Sequence, residues 1–422
     1  MVLFFSKAFR RKIKVKTSIH VNQYYDYCRS KPLVLVFQSF KTVVLYYLCR
    51  RITSSEGDMF FYNGTGEVNM HEKICINTAS GFSFFRGVNI SHWLSQTLGT
   101  RRDFYFADDD LRTIKELGFD HVRILIDEHE MWNDDGLVIG YSFLMLKKCL
   151  DMCLRNSLKA VIVIKELRCA DPRQSHSGNA SLWENILAQE NLMKLWRNLS
   201  DFLKDYPRSM LAYEILSEPD APTDEQWNGL MHEVYSTIRM RERERTIIIG
   251  SNSRQSASAV AHLHILSDPN IIVSIRFFKP FAFTHYKAEW TAMDRYSGPV
   301  CYPGQTINPD LMLIDERNDA RLSALLEQEN EFSYCGAGDL LQALQPVADL
   351  CREKGVGLYC SQFGCLPTVP SAMRAQYYKD ITSCFKQLEM AYSYWDFKGR
   401  FGVLIKNELN EYVPDPTIID TM

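Results

Sequence analysis

None of the twelve cysteines forms a C-x-x-C pair, and no cysteine–histidine cluster has the spacing of a zinc site. Those absences exclude a zinc ribbon and a thioredoxin-type redox motif, and leave scattered cysteines to be read first as buried thiols. No glycine-rich, phosphate-cradling loop follows the first strand-like run, which argues against a dinucleotide fold. No metal-ligand cluster or cofactor motif is present, so neither metal nor cofactor is expected. No apolar run reaches the roughly 20 residues of a membrane-spanning helix. The nearest, "PLVLVFQSFKTVVLYYLC", is interrupted by Gln38 and Lys41, and it begins too far into the chain for an ordinary export signal.

Acids are almost missing from the start of the chain. Residues 1–51 hold eleven Lys and Arg but only Asp26, whereas the remainder has 37 basic against 50 acidic residues. This switch marks residues 1–72 as a separate, basic and partly apolar N-terminal extension. Contact between residues 1–51 and a membrane is one expectation for such an arm. Nothing that reads bases accompanies it, so nucleic acid is not an expected partner.

What is present is alternation. A hydrophobic content of 46% supplies a large core. From about residue 73 onward, eight short runs rich in Val, Ile and aromatics alternate with longer stretches of helical spacing. The runs are "FSFFRGVNI", "DHVRILI", "AVIVI", "MLAYEIL", "RTIIIG", "NIIVSIRFF", "GLYCSQFG" and "MAYSYWDF". "DDDLRTIKELG" starts with acids and stops at Gly118, as a helix should. Eight strands alternating with helices predict an α/β protein, a (β/α)8 TIM barrel over residues 73–422. The segment from about 279 to 334 is too long for a turn and reads as an elaborated loop. Cys149 and Cys153, one helical turn apart, read as a helix packing face; Cys360 and Cys365 bracket a strand end.

Such barrels place chemistry where strands end. The residues there are Asn89, Arg123, Lys165, Ser217, Glu218, Arg276, Phe278, Gln362 and Trp395. Glu218 in "YEILSEPD" is a carboxylate at a strand mouth, which is costly to bury without a task or a partner.

An ordered set of stretches carries a resemblance: "FFRGVNISHWLSQ", "FDHVRILID", "AYEILSEP", "IIIGSN", "FFKPFAFTHYKAEW", "YPGQT", "YCSQFG" and "YSYWDFKGRFGV". Together they resemble glycoside hydrolase family 5, the cellulase-like retaining β-glycosidases of clan A, over about residues 73–405. The resemblance implies the same (β/α)8 barrel. It assigns the second-strand Arg to Arg123, the acid/base Glu to Glu218, and the platform Trp to Trp395. The Asn before the acid/base is Ser217 here, and the third-strand His falls near Lys165. The sixth-strand His-x-Tyr is Arg276–Phe277–Phe278. The nucleophile Glu is Gln362.

Retaining hydrolysis uses two carboxyl groups about 5–5.5 Å apart, one attacking and one protonating. An amide at 362 has the shape of the carboxylate without its charge and cannot form the glycosyl ester. The resemblance therefore implies a cellulase or β-glucanase type of protein with an impaired site. Carbohydrate binding would persist, Trp395 stacking a sugar face; Trp93, Phe278, Tyr286 and Trp290 are candidates for further walls, each read first as core packing. The expected partner is an oligo- or polysaccharide, and Arg276 and Lys165 direct attention to an anionic one.

Two alternatives stand beside this. An active, inverting glycosidase would use Glu218 as acid and Glu166 or Asp127 as base. A non-catalytic barrel would instead present its loops to a protein or membrane partner. The resemblance implies secretion or membrane anchoring, although the N-x-S/T triplets at Asn63, Asn89, Asn179 and Asn198 fix no location.

Overall fold

In the computed structural model, the described residues are 76–96, 105–170 and 182–422, together with three strands nearer the N-terminus. The chain divides into two compact units, Met1–Lys73 and Ile74–Met422. In the first, Leu33–Ser39, Thr42–Leu48 and Met59–Tyr62 form an antiparallel three-stranded sheet in that order. The apolar run weighed as a membrane span is thus two paired strands. Among the described residues no helix is long and apolar enough to cross a membrane. The rest of the basic arm lies outside the described residues, as do Asn63 and Asn179.

The second unit is a closed barrel of eight parallel strands. These are β1 (Arg86–Leu94), β2 (His121–Ile126), β3 (Lys159–Ile164), β4 (Leu211–Glu214), β5 (Thr246–Gly250), β6 (Ile271–Arg276), β7 (Gly357–Phe363) and β8 (Ala391–Tyr394). Neighbours pair in chain order and β8 closes on β1. Val and Ile dominate β3, β5 and β6 because both faces of such strands are covered, one by helices and one by the barrel interior.

The main crossover helices are α1 (Asp108–Glu116), α2 (Gly140–Arg155), α3 (Ile186–Leu203), α4 (Asp224–Arg239), α5 (Ala320–Gln328), α6 (Ala337–Lys354) and α7 (Ser371–Gln387). α1 carries Asp108, Asp109 and Asp110 in its first turn, where the helix dipole favours acids, and Gly118 follows it at φ +82°. Cys149 and Cys153 are buried on α2, and Cys360 and Cys365 are buried free thiols. The crossover from β5 to β6 departs from the regular pattern. It has only the short turns Asn252–Gln255 and Ser258–His262 in place of a full helix.

Period-two alternation sorts the interior into layers. At the floor, Phe82 and Phe84 pack against Val161, Ala212, Ile248, Ile272, Tyr359 and Ala391. His121 shares this level, and Gly87 makes room for its ring: a Cβ on Gly87 would lie 2.3 Å from His121 Nε2. Two residues further along, six strands carry polar residues (Asn89, Arg123, Glu214, Ser274, Ser361 and Ser393), while β3 and β5 have Val163 and Gly250. Two residues beyond that, Lys165, Arg276 and Trp395 reach partial exposure.

Candidate active site

The polar layer is built around one buried ion pair. Arg123 Nε donates to Glu214 Oε2 at 2.6 Å, and both side chains are fully buried. Two charges held this deep require all their hydrogen-bonding capacity to be met. Arg123 accordingly donates also to Asn89 Oδ1 at 2.8 Å and to Ser217 Oγ at 3.2 Å. The other Glu214 oxygen accepts from Gln255 Nε2 at 2.8 Å and from Ser274 Oγ at 3.1 Å. Gln255 reaches in from the short β5–β6 crossover, and Gly250 gives it room: a Cβ there would stand 2.7 Å from its Nε2. Asn89 is buried and donates to the carbonyls of Ser361 and Tyr394, so it is closed to glycosylation.

Above this layer the strand ends converge on Glu218. Its backbone sits at φ +54°, a left-handed conformation that is uncommon outside glycine and tends to persist at functional sites. The Glu218 amide donates to Gln255 Oε1 at 3.1 Å, tying the strained turn to the buried network. Its carboxylate meets Lys165 Nζ at 3.4 Å and Arg276 Nη1 at 3.1 Å. Gln362 Nε2 donates to Ser217 Oγ at 3.2 Å, and its side chain is among the neighbours that lower the Glu218 carboxyl. Burial pushes the Glu218 carboxyl up, but Lys165, Arg276 and Gln362 outweigh it and hold the group at about 2. Lys165 Nζ also lies 5.7 Å from the centre of the Trp395 ring.

These groups open into a cleft of about 1020 Å³. Of the sequence-predicted residues, Lys165, Glu218, Arg276, Phe278, Gln362 and Trp395 line it. Arg123 and Ser217 do not: both are buried beneath it and brace the mouth from below. Two of the candidate aromatic walls are core, the reading put first for them. Trp93 is core, packed on Phe106, and Tyr286 is buried with its hydroxyl on the Gly298 carbonyl. Trp290 does border the cleft, half exposed, with the Arg400 guanidinium stacked 4.6 Å from its ring centre.

The two bases suggested for an inverting route are displaced as well. Neither Asp127 nor Glu166 borders the cleft. Asp127 is buried on the Gln96 amide, and burial raises its carboxyl to about 6.

Other cleft groups escaped the sequence reading. Asp396 accepts a short hydrogen bond from Ser91, whose Oγ is also 2.7 Å from His92 Nδ1. Burial raises Asp396 to about 6. His285 stacks on Phe281, and burial with the nearby Arg276 lowers its ring to about 3. The adjacency of Asp396 to Trp395 and the inward phase of Ser91, two residues past Asn89, were the available signals. His285 had none, because it belongs to an aperiodic loop. Among the described residues no group of three or more His, Cys, Asp or Glu is placed to hold a metal ion.

The family model "Cellulase (glycosyl hydrolase family 5)" matches residues 78–400. Endoglucanase C of Acetivibrio thermocellus is 28% identical over 326 residues, which span 75% of this chain and 92% of that protein. Cellodextrinase A of Ruminococcus flavefaciens is 25% identical over 310 residues, spanning 72% of this chain and 82% of its own. Among solved structures, Thermotoga maritima Cel5A in complex with mannotriose superposes with a TM-score of 0.63 at 23% identity, covering 80% of this chain and 97% of that one. The cellulose synthase subunit Z from Clostridioides difficile gives 0.64 at 19% identity, covering 80% and 99%.

Proposed function

The chain belongs to glycosyl hydrolase family 5, and from that premise we propose that it is a cellulase-type barrel that holds an oligosaccharide in its cleft while hydrolysing it poorly or not at all. One observation carries this reading. The position that resembles the family nucleophile is the amide Gln362, and the nearby Glu218 is already committed to Lys165 and Arg276. Double-displacement chemistry needs a charged nucleophile, and position 362 offers none. It also needs a carboxyl that is still protonated near the working pH, and a group held at about 2 is almost wholly ionised there.

The binding half of the reading rests on what remains. The cleft is large enough for several sugar rings, and Trp395 and Trp290 line it. The relatives' names, an endoglucanase and a cellodextrinase, make β-linked glucose oligomers the first ligands to try. Calorimetric titration with cello-oligosaccharides should give saturable binding that Trp395→Ala weakens at least about tenfold, the scale of one lost aromatic contact. Absence of binding in the unaltered protein would refute the binding half.

One observation favours a second reading. Asp396 lines the cleft, so a carboxyl other than Glu218 is within the same cavity. An inverting hydrolase would use it as base. Turnover with inverted product stereochemistry by NMR, lost in Asp396→Asn, would establish that route.

A further inference from the structure

Two fixed cations in the cleft share one carboxylate, Glu218, while the other inner acid, Asp396, is buried on Ser91. Lys165 and Arg276 line the cleft with side chains 15% and 29% exposed, and both turn to Glu218. Gln362 adds no charge. The rest of the Arg276 guanidinium makes no other hydrogen bond or ion pair among the described residues, so part of its donor fork faces the cavity. Further out the balance reverses. Lys279 is paired with Glu329, Arg400 lies 3.6 Å from Glu289, and Glu331 adds another acid. The local positive excess is the two cations that share Glu218.

Resting on the carbohydrate-binding reading above, we infer that the cleft selects an oligosaccharide bearing a single carboxylate, a uronic acid residue seated beside Lys165 and Arg276 with neutral sugars on either side. The ligand's carboxylate supplies the second negative charge that Gln362 does not. A planar guanidinium fork suits a planar carboxylate, which it grips through two parallel hydrogen bonds. The acids of the outer cleft repel a second or third charge, so a polyuronate or heavily sulfated chain is excluded. Glu218 competes for the same two cations and moderates the affinity.

The test is calorimetric titration with three tetrasaccharides of one β-glucan backbone. One is neutral, one has a single internal glucose replaced by glucuronate, and one carries a single sulfate ester at the same place. The glucuronate form should bind about tenfold tighter than the neutral one, the scale of a charged hydrogen-bonded contact. It should also bind tighter than the sulfate form. The preference should shrink in about 0.5 M salt, collapse toward one in Arg276→Gln, and grow in Glu218→Gln. Equal affinities in the unaltered protein, or a preference that survives both high salt and Arg276→Gln, overturn the inference. A stronger grip on the sulfate form overturns the carboxylate assignment. Neutral binding without preference sinks this inference alone, whereas no binding of any probe sinks the reading beneath it.

Discussion

The proposed lack of turnover rests on two residues, the amide Gln362 and the acid Glu218 that Lys165 and Arg276 hold. Replacing Gln362 by glutamate would set a second carboxyl beside Glu218. Like charges at such range disfavour joint ionisation, so the Glu218 carboxyl should rise from about 2 toward the ordinary range while Arg276 divides its attention between two acids. Gln362→Glu should therefore show measurable release of nitrophenol from an aryl β-cellobioside, at least about tenfold above the unaltered protein, and Glu218→Gln in that background should remove it. The same carboxyl links stability to pH. Its folded value lies below its ordinary 4.5, so its pairing contributes fully above about 4.5 and is lost as pH falls toward about 2. Thermal unfolding of Glu218→Gln should consequently depend less on pH between about 5 and 2 than that of the unaltered protein. Identical slopes would mean the ion pairs do not hold in solution.

The elements hold this site through the layer beneath it. β2 brings Arg123 and β4 brings Glu214 into one buried pair, and the short β5–β6 crossover lowers Gln255 onto it. Arg123→Ala leaves Glu214 charged and unpaired at full burial, and should cost about 3–5 kcal/mol in denaturant unfolding. A loss under about 1 kcal/mol would show that water or rearrangement replaces the guanidinium. This layer also marks how far the sequence could be read. The runs "AVIVI", "RTIIIG" and "NIIVSIRFF" announce their strands because β-branched residues fill a sheet covered on both faces. Glu218, Gln362 and Trp395 were legible because each sits where such a run stops. Gln255 was not, since it belongs to a crossover with no helix and no period. Trp93 and Tyr286 left both readings open for a related reason: an aromatic beside a strand end looks alike in sequence whether it turns to the cleft or to the core. Asp127 and Glu166 failed likewise, because sequence gives their distance from a strand end and not their direction.

On the scale of the whole molecule, a closed family 5 barrel carries Lys165, Arg276 and Glu218 together at its mouth. The closed sheet, the floor of Phe82 and Phe84 and the buried Arg123–Glu214 pair together keep the strand ends in register. Lys165, Arg276, Phe278 and Gln362 line the mouth and Ser217 is buried just beneath it, so the proposed departures from the family pattern would alter chemistry without touching the apolar floor. A cleft so placed is stable whatever its catalytic state, so stability measurements alone say nothing about turnover. The most direct test is therefore the rate of sugar release from soluble β-glucan and aryl β-cellobioside by the unaltered protein, set beside Glu218→Gln. A protein whose two-carboxyl device is reduced to one committed acid should stay at or near the uncatalysed rate, and Glu218→Gln should change nothing. Turnover in the range of ordinary enzymes, about 1 s⁻¹ or more, abolished by Glu218→Gln, would contradict that claim outright.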